Sequence, residues 1–543
     1  MALRVNMKIS KETEATLTEL FSKEKLKYIK KRIKKIKRKY KIPKDKIKIN
    51  QKETFLITYA DIVQKKGQKH FKTFKQFSDI FLKGKISTIH FLPFYPSTSD
   101  GGFSIIGYKK IDKKNGSWTD VGKMSEYHNL MFDAVINHIS QKSDWFQKHL
   151  KGDKKYKDYF LSFDTKVDTS SVFRPRTSPL LTKFNSMYYW TTFSSDQLDL
   201  NFSNPDVFLD ILDTLFFYAS KGAKYIRLDA IAYLYKCLGK NCVNLPETHK
   251  IVRVFREFLP DSVNLISEVN LSLKSILSYF GNGHDESQLV YNFPLAPLTY
   301  HALMKSDSGP LNNYFKSIKV FSKKTSYLNF LASHDGVGIL PAKSFLTDKQ
   351  VNGLIVDTKK KGFKVSKKTE FDGTKTVYEL NINYFDALDR NIDKMLCAHS
   401  ILFFARGVPA IYFHSLVGSY GDKKYDRKRP RTVNREKLNY NRLVKELNDK
   451  KSVKHQIYSN LLKMIEIRKK HKAFHPCSDQ IVLSKGKNMF VVKRCSDGNR
   501  VTGYHNLSNK RKVIGLSKEK KNILTGEKIK KLILEPYGFA WLS

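Results

Sequence analysis

The stretch Tyr225-Ile226-Arg227-Leu228-Asp229-Ala230 decides how the rest of the chain is read. It is a short, almost wholly apolar run, which predicts a buried β-strand that delivers one arginine and one carboxylate to its end. Alternate strand residues share a face, so Arg227 points the same way as Asp229. Leu265-Ile266-Ser267-Glu268-Val269 repeats the design with a second carboxylate. Two carboxylates on successive strand ends suit cleavage of a glycosidic bond, in which one attacks or stabilises the sugar and the other protonates the leaving oxygen. Taken alone, Arg227 and Asp229 read as a structural salt bridge; the neighbouring segments overturn that reading.

Working outward, further apolar strands are expected at 55–60, 86–94, 130–138, 224–230, 264–269, 289–293, 328–335 and 408–413, with helical stretches between them. Eight such segments interleaved with helices predict an α/β fold, a (β/α)8 TIM barrel, and near-continuous apolar strands fit burial on both faces. Chemistry in such barrels sits at the strand C-terminal ends. Polar residues recur there: Asp100, Asn137 and His138, Arg227 and Asp229, Glu268, then His334 and Asp335.

The expected organisation is a basic helical extension over 1–53, a catalytic barrel over 54–472, and a small all-β domain over 473–543. Two connections are too long for one helix. One, at about 140–222, predicts an inserted subdomain; the other, at about 341–386 and rich in Lys and Gly, predicts a lid or acceptor loop. Short strands with turn signals, at 480–483, 489–493, 500–506 and 539–542, mark the C-terminal domain.

With 543 residues, 41% hydrophobic and 13% aromatic, the chain is globular rather than disordered. No apolar run is long enough to span a membrane, Met1-Ala2-Leu3-Arg4 lacks the apolar core of a secretory signal, and the five cysteines have no metal-type spacing. The expected location is the cytoplasm. The net charge of +48 raises the question of nucleic acid, but lysines run through every segment, so a solvated surface is the favoured reading. In the most basic segment, 23–52, Leu26, Ile29, Ile33, Ile36 and Tyr40 recur at three- and four-residue steps. That periodicity predicts an amphipathic helix whose apolar face packs on the main body.

The ordered motifs Leu56-Ile57-Thr58-Tyr59-Ala60-Asp61, His90-Phe91-Leu92-Pro93-Phe94, Ser99-Asp100-Gly101-Gly102-Phe103, Asp133-Ala134-Val135-Ile136-Asn137-His138, Ile226-Arg227-Leu228-Asp229-Ala230, Ser267-Glu268-Val269 and Ser333-His334-Asp335-Gly336 resemble the α-amylase clan, in its sucrose-phosphorylase-like branch. The resemblance covers roughly residues 54–543. It implies that Asp229 is the nucleophile, Glu268 the general acid/base and Asp335 a third carboxylate that binds sugar hydroxyls, with Arg227 holding Asp229 ionised. Such a pair needs a low pKa at Asp229 and a raised one at Glu268. His138 and His334 are expected to donate to sugar hydroxyls, and Asp100, near Phe103, to grip the far end of a glucosyl unit. Phe193, Gln197 and Tyr233 match positions that line the glucosyl pocket, and Arg435 matches a pocket arginine.

The acceptor decides the product: water, phosphate or another hydroxyl. Arg174 and Arg176, in a loop stiffened by Pro175 and Pro179, are the candidate phosphate ligands, because an arginine fork matches phosphate oxygens. Sucrose phosphorylases carry a Tyr-Gln pair where this chain has Tyr378-Glu379-Leu380-Asn381. Tyr378, Glu379 and Asn381, with the Arg174–Leu181 stretch, look more like phosphorylases of 2-O-α-glucosylglycerate. The expected activity is transfer of an α-glucosyl unit from that glucoside to phosphate. Sucrose phosphorolysis and α-glucosidase or transglucosidase action are the alternatives. No metal or organic cofactor is expected; inorganic phosphate is a co-substrate.

Overall fold

A computed structural model describes residues 9–483, 486–496 and 498–543. Met1 to Arg4, read above for a secretory signal, lie outside the described residues. Eight parallel strands close into a barrel: β1 (Phe55–Thr58), β2 (Thr88–Phe91), β3 (Asn129–Ala134), β4 (Ala223–Leu228), β5 (Asn264–Ser267), β6 (Leu289–Asn292), β7 (Ser326–Asn329) and β8 (Val408–Tyr412). Each pairs with its neighbour in the chain, and β8 returns to β1 through Phe55↔Ala410. Most of their side chains are buried whichever way they face, as strands covered inside and out require.

The register places the chemistry. Leu228 lies opposite Ser267, so Asp229 and Glu268 leave β4 and β5 side by side. Arg227 lies opposite Asp133 on β3. The expected strands at 130–138 and 328–335 stop well short of the polar residues at the ends of their runs. β3 stops at Ala134, and His138–Ser140 pairs instead, antiparallel, with Gln197–Asp199. β7 stops at Asn329, and 330–335 form a loop that carries His334 and Asp335 over the barrel mouth. Hydrophobicity marked both tails as strand because they are buried, yet burial alone does not make ladder partners.

Between β3 and β4 lies a three-stranded antiparallel sheet (Ser162–Phe163, Met187–Trp190, Leu181–Phe184). The helix Pro205–Ser220 follows and packs on β4. The region after β7 is more ordered than a lysine- and glycine-rich loop: helix Asp348–Lys360 leads into a hairpin of Lys364–Thr369 and Lys375–Asn381. The C-terminal strands are antiparallel and include two that the sequence reading missed, Lys512–Lys521 and Lys528–Leu534. Their lysines hide a period-two pattern in which Ile514, Leu516, Leu532 and Leu534 meet Met489 and Val491 in a small separate core.

Helices α1 (Lys11–Phe21) and α2 (Lys23–Lys39) lie against the barrel helices. Ile29, Ile33 and Ile36 are buried, and Phe21 packs on Phe208. Arg32 and Lys39 of α2 meet Asp210 and Asp213 at 3.1 and 3.0 Å. Such partly exposed pairs contribute ~0–1 kcal/mol each, so the isoleucines account for most of the attachment.

Candidate active site

A cavity at the C-terminal mouth of the barrel is floored by Arg227, Asp229 and Glu268. Its walls carry Asp100, Phe103, His138, Phe193, Gln197, His334 and Asp335, a mixture of polar and aromatic side chains. Arg227 Nη1 lies 2.7 Å from Asp229 Oδ1 and also binds Asp133, while its Nη2 stands 3.9 Å from Glu268 Oε2. Asp133 in turn faces His90 Nε2 at 2.8 Å. One guanidinium thus answers three carboxylates. Ala230 adopts φ +49°, left-handed for a residue with a Cβ, and its N–H donates to Glu268 Oε2 at 2.9 Å. That turn costs ~1 kcal/mol or more and is held by the surrounding fold.

Burial pushes the Asp229 carboxyl up, Arg227 opposes the rise, and Glu268 and Asp133 add to it. This corrects the expectation of a low Asp229 pKa: Arg227 is shared too widely to cancel desolvation. Burial raises Glu268 as well, against the pull of Arg227 and the Ala230 N–H. The two form one titrating pair. Within it the direct 2.7 Å contact to Arg227 favours charge on Asp229, which assigns the shared proton to Glu268. Asp335 behaves differently. Burial opposes its ionisation, but the guanidinium charges of Arg431 and Arg435 outweigh that and hold it well below the usual carboxylate range.

The far wall is a network of cations and acids. Asp335 Oδ1 takes Arg431 Nη1 at 3.0 Å and Arg435 Nη2 at 3.1 Å. Arg435 also reaches Asp100 at 3.4 Å and donates from Nε to the His334 carbonyl at 3.0 Å. Gly101 makes this approach possible, since a Cβ there would stand 2.3 Å from Arg435 Nη1. The His334 ring stacks on Phe103 at 4.7 Å, and burial lowers its pKa to about 3, so it is neutral.

On the next wall His138 departs from its expected role. Asn137 Nδ2 donates to Nδ1 at 3.2 Å, which leaves the Nε2–H to donate to the Phe103 carbonyl at 2.9 Å. The ring lines the cavity but its proton is already engaged. Gln197 donates to the same carbonyl at 3.2 Å. Behind them, buried Lys236 joins Asn137 Oδ1 and Asp199 Oδ2, each at 2.7 Å.

Tyr233, Phe173, Phe193, Tyr378, Arg176 and Lys368 form the outer rim. Arg176 Nη1 donates to the Tyr378 hydroxyl at 2.6 Å and to the Pro175 carbonyl at 3.2 Å, with its guanidinium over the Phe193 and Tyr378 rings. Three expected acceptor residues are not at the cavity. Arg174 turns back to the Ser178 carbonyl. Glu379 is buried beneath the rim, where it takes both forks of Arg431, at 2.9 and 2.6 Å. Asn381 pairs with Ser366 within the hairpin. Glu379 and Asn381 share a reason: their strand alternates faces, so both point away from the face on which Tyr378 looks inward. Asp133, Arg431 and Lys368 were missed. Asp133 opens the Asp133–His138 motif, and Arg431 lies one helical turn before Arg435; Lys368 left no sequence signal among so many lysines.

A family model for the alpha-amylase catalytic domain matches residues 81–378. The chain is also 40% identical over 464 residues to a glucosylglycerate phosphorylase of Spirochaeta thermophila, covering 82% of this chain and 79% of that protein. The chain belongs to the alpha-amylase family. A glucosylglycerate phosphorylase of Escherichia coli is 38% identical over 478 residues, with 84% of this chain and 85% of that one covered. A sucrose phosphorylase of Streptococcus mutans is more distant, at 28% over 444 residues, 78% of this chain and 88% of that one. In fold, the crystal structure of a sucrose 6F-phosphate phosphorylase from Thermoanaerobacter thermosaccharolyticum aligns with TM-score 0.76 at 24% identity, over 89% of this chain and 98% of that one. The alpha-amylase barrel thus accounts for the closed sheet and for the placement of the carboxylates at its mouth. No helix among the described residues is long and apolar enough to cross a membrane.

Proposed function

We infer that the chain is a retaining glucoside phosphorylase that transfers the α-glucosyl unit of 2-O-α-glucosylglycerate to phosphate, giving α-glucose 1-phosphate and glycerate. In the first step an Asp229 oxygen attacks the anomeric carbon as the bond to the glycerate oxygen breaks, and Glu268 gives its proton to that oxygen. In the second, phosphate enters, Glu268 takes back a proton from it, and a phosphate oxygen displaces Asp229 from the anomeric carbon. Asp335, fixed as an anion, binds sugar hydroxyls with Asp100, while Phe103, Phe193 and Tyr233 face the pyranose. The carboxylates and the bound phosphate supply the chemistry without a cofactor.

One observation carries the phosphorylase reading over hydrolysis. Arg227, Arg431 and Arg435 are all met by carboxylates, whereas Arg176 donates to a carbonyl and a hydroxyl. Among the described residues it is the cavity guanidinium without an ion pair, and it stands ready for an anion. The likeness to glucosylglycerate phosphorylases, at 38–40% identity, supports glycerate as the aglycone. Incubation with phosphate and either glucosylglycerate or sucrose tests this: glucose 1-phosphate should form faster from glucosylglycerate. Faster release from sucrose would sink the substrate assignment, and glucose release that does not depend on phosphate would sink the phosphorylase.

A further inference from the structure

The reaction handles two anions in turn at one rim, the glycerate that leaves and the phosphate that enters. Beside Arg176 the rim holds a second cation. Lys368 lines the same cavity, its side chain is buried, and its ammonium lies 4.9 Å from the centre of the Phe173 ring. Phe173 and Phe193 both lie against Tyr233, with ring centres 6.3 and 5.4 Å from it, so Lys368 and Arg176 each stand over a different ring that contacts that tyrosine. The hairpin register shifts between Ser366 and Lys367, just before this lysine. Such a bulge re-aims the side chains after it, and bulges gather beside active sites. A backbone bridge from Arg174 to Thr369 then fastens the hairpin to the loop that carries Phe173 and Arg176.

We propose that Lys368 is a specificity-determining residue that binds the carboxylate of the aglycone, leaving phosphate to Arg176. The two sites differ in charge. Lys368 is paired with Glu370, which also accepts from Thr376 at 2.5 Å, whereas Arg176 has neutral partners. An ammonium has three donors and can hold Glu370 and a ligand carboxylate together. Glu370 offsets much of the Lys368 charge, so this pair pulls less on a phosphate dianion than the guanidinium of Arg176, whose partners are neutral, does. An arginine fork matches phosphate and carboxylate alike, so the pairing of Lys368 with Glu370 is what separates the two sites.

This rests on the activity proposed above, so wild-type phosphorolysis of glucosylglycerate is scored first; its absence refutes that reading and this assignment with it. Lys368→Met and Lys368→Arg are then compared on glucosylglycerate and on the neutral glucosylglycerol, at saturating phosphate. Lys368→Met should raise KM for glucosylglycerate ~10–100-fold, as loss of a charge-assisted contact does, and should narrow the preference for the acidic over the neutral glucoside. KM for phosphate should move less than about threefold, and Lys368→Arg should restore part of the loss. Equal losses on both glucosides would reduce Lys368 to a structural role. A raised KM for phosphate with an unmoved KM for glucosylglycerate would exchange the roles of the two cations. An unmoved KM for both would remove Lys368 from the site.

Discussion

Arg176→Met is the sharpest test of phosphate binding. The substitution keeps an unbranched apolar stem against Phe193 and Tyr378 and removes the fork. The lost cation–π contacts are worth ~0.5–1 kcal/mol each, so the melting temperature should fall only modestly. The loss in the reaction is larger. A charge-assisted bidentate contact to an anion contributes ~1.5–3 kcal/mol, which predicts a ~10–150-fold rise in KM for phosphate. Arg176→Lys should recover less than half of that in free energy, because it restores charge without the fork. Arg174→Met is the built-in comparison. Its guanidinium is occupied by the Ser178 carbonyl, outside the cavity, so its effect on phosphate should stay within about threefold. The assay is initial rates of glucose 1-phosphate release against phosphate concentration, with glucose release measured in parallel. With Arg176→Met the glucosyl-enzyme waits longer for phosphate, so the fraction diverted to water should rise. An unchanged KM for phosphate, or equal effects of Arg174→Met and Arg176→Met, would refute the reasoning.

Other outcomes follow from the same geometry. Glu268 must be protonated for the first step, and burial raises its pKa, so kcat/KM for the glucoside should fall as pH rises through that raised value; Glu268→Gln should remove this basic limb and slow glycoside cleavage ~10²–10⁴-fold. Asp229→Asn should abolish turnover yet raise the melting temperature at neutral pH. The folded pKa of Asp229 lies above the unfolded value, so its charge costs stability at pH 7, and the advantage of the variant should vanish below about pH 4, where the wild-type carboxyl is protonated in both states. Gly336→Ala would set a Cβ 2.3 Å from the Leu380 carbonyl oxygen, so it should destabilise by ~1–3 kcal/mol in denaturant titrations and raise KM for the aglycone as the hairpin is displaced. Ile33→Ala in α2, fully buried against the barrel helices, should cost ~2–4 kcal/mol in thermal or chemical unfolding while kcat is retained.

Much of this molecule is written locally in its sequence. The period and length of the apolar runs marked eight strands, and the carboxylates at their ends marked the cavity floor, because a strand fixes which residues share a face and which one leaves its end. The isoleucines of α2 announced their own burial in the same way. Local pattern could not say how far a ladder runs, and so the buried tails after Ala134 and Asn329 were read as strand. Nor could it separate the lysine-rich strands at 512–521 and 528–534 from loop. The rest depended on contacts between residues far apart in the chain. Only the tertiary structure decided that Arg227 is divided among Asp133, Asp229 and Glu268, which sets the protonation of the pair. Only it decided that Arg174 and Glu379 are spent on the scaffold while Arg176 and Lys368 face the cavity. A motif names the arginine; the other charges brought within a few ångströms of it determine whether it remains free to bind a substrate.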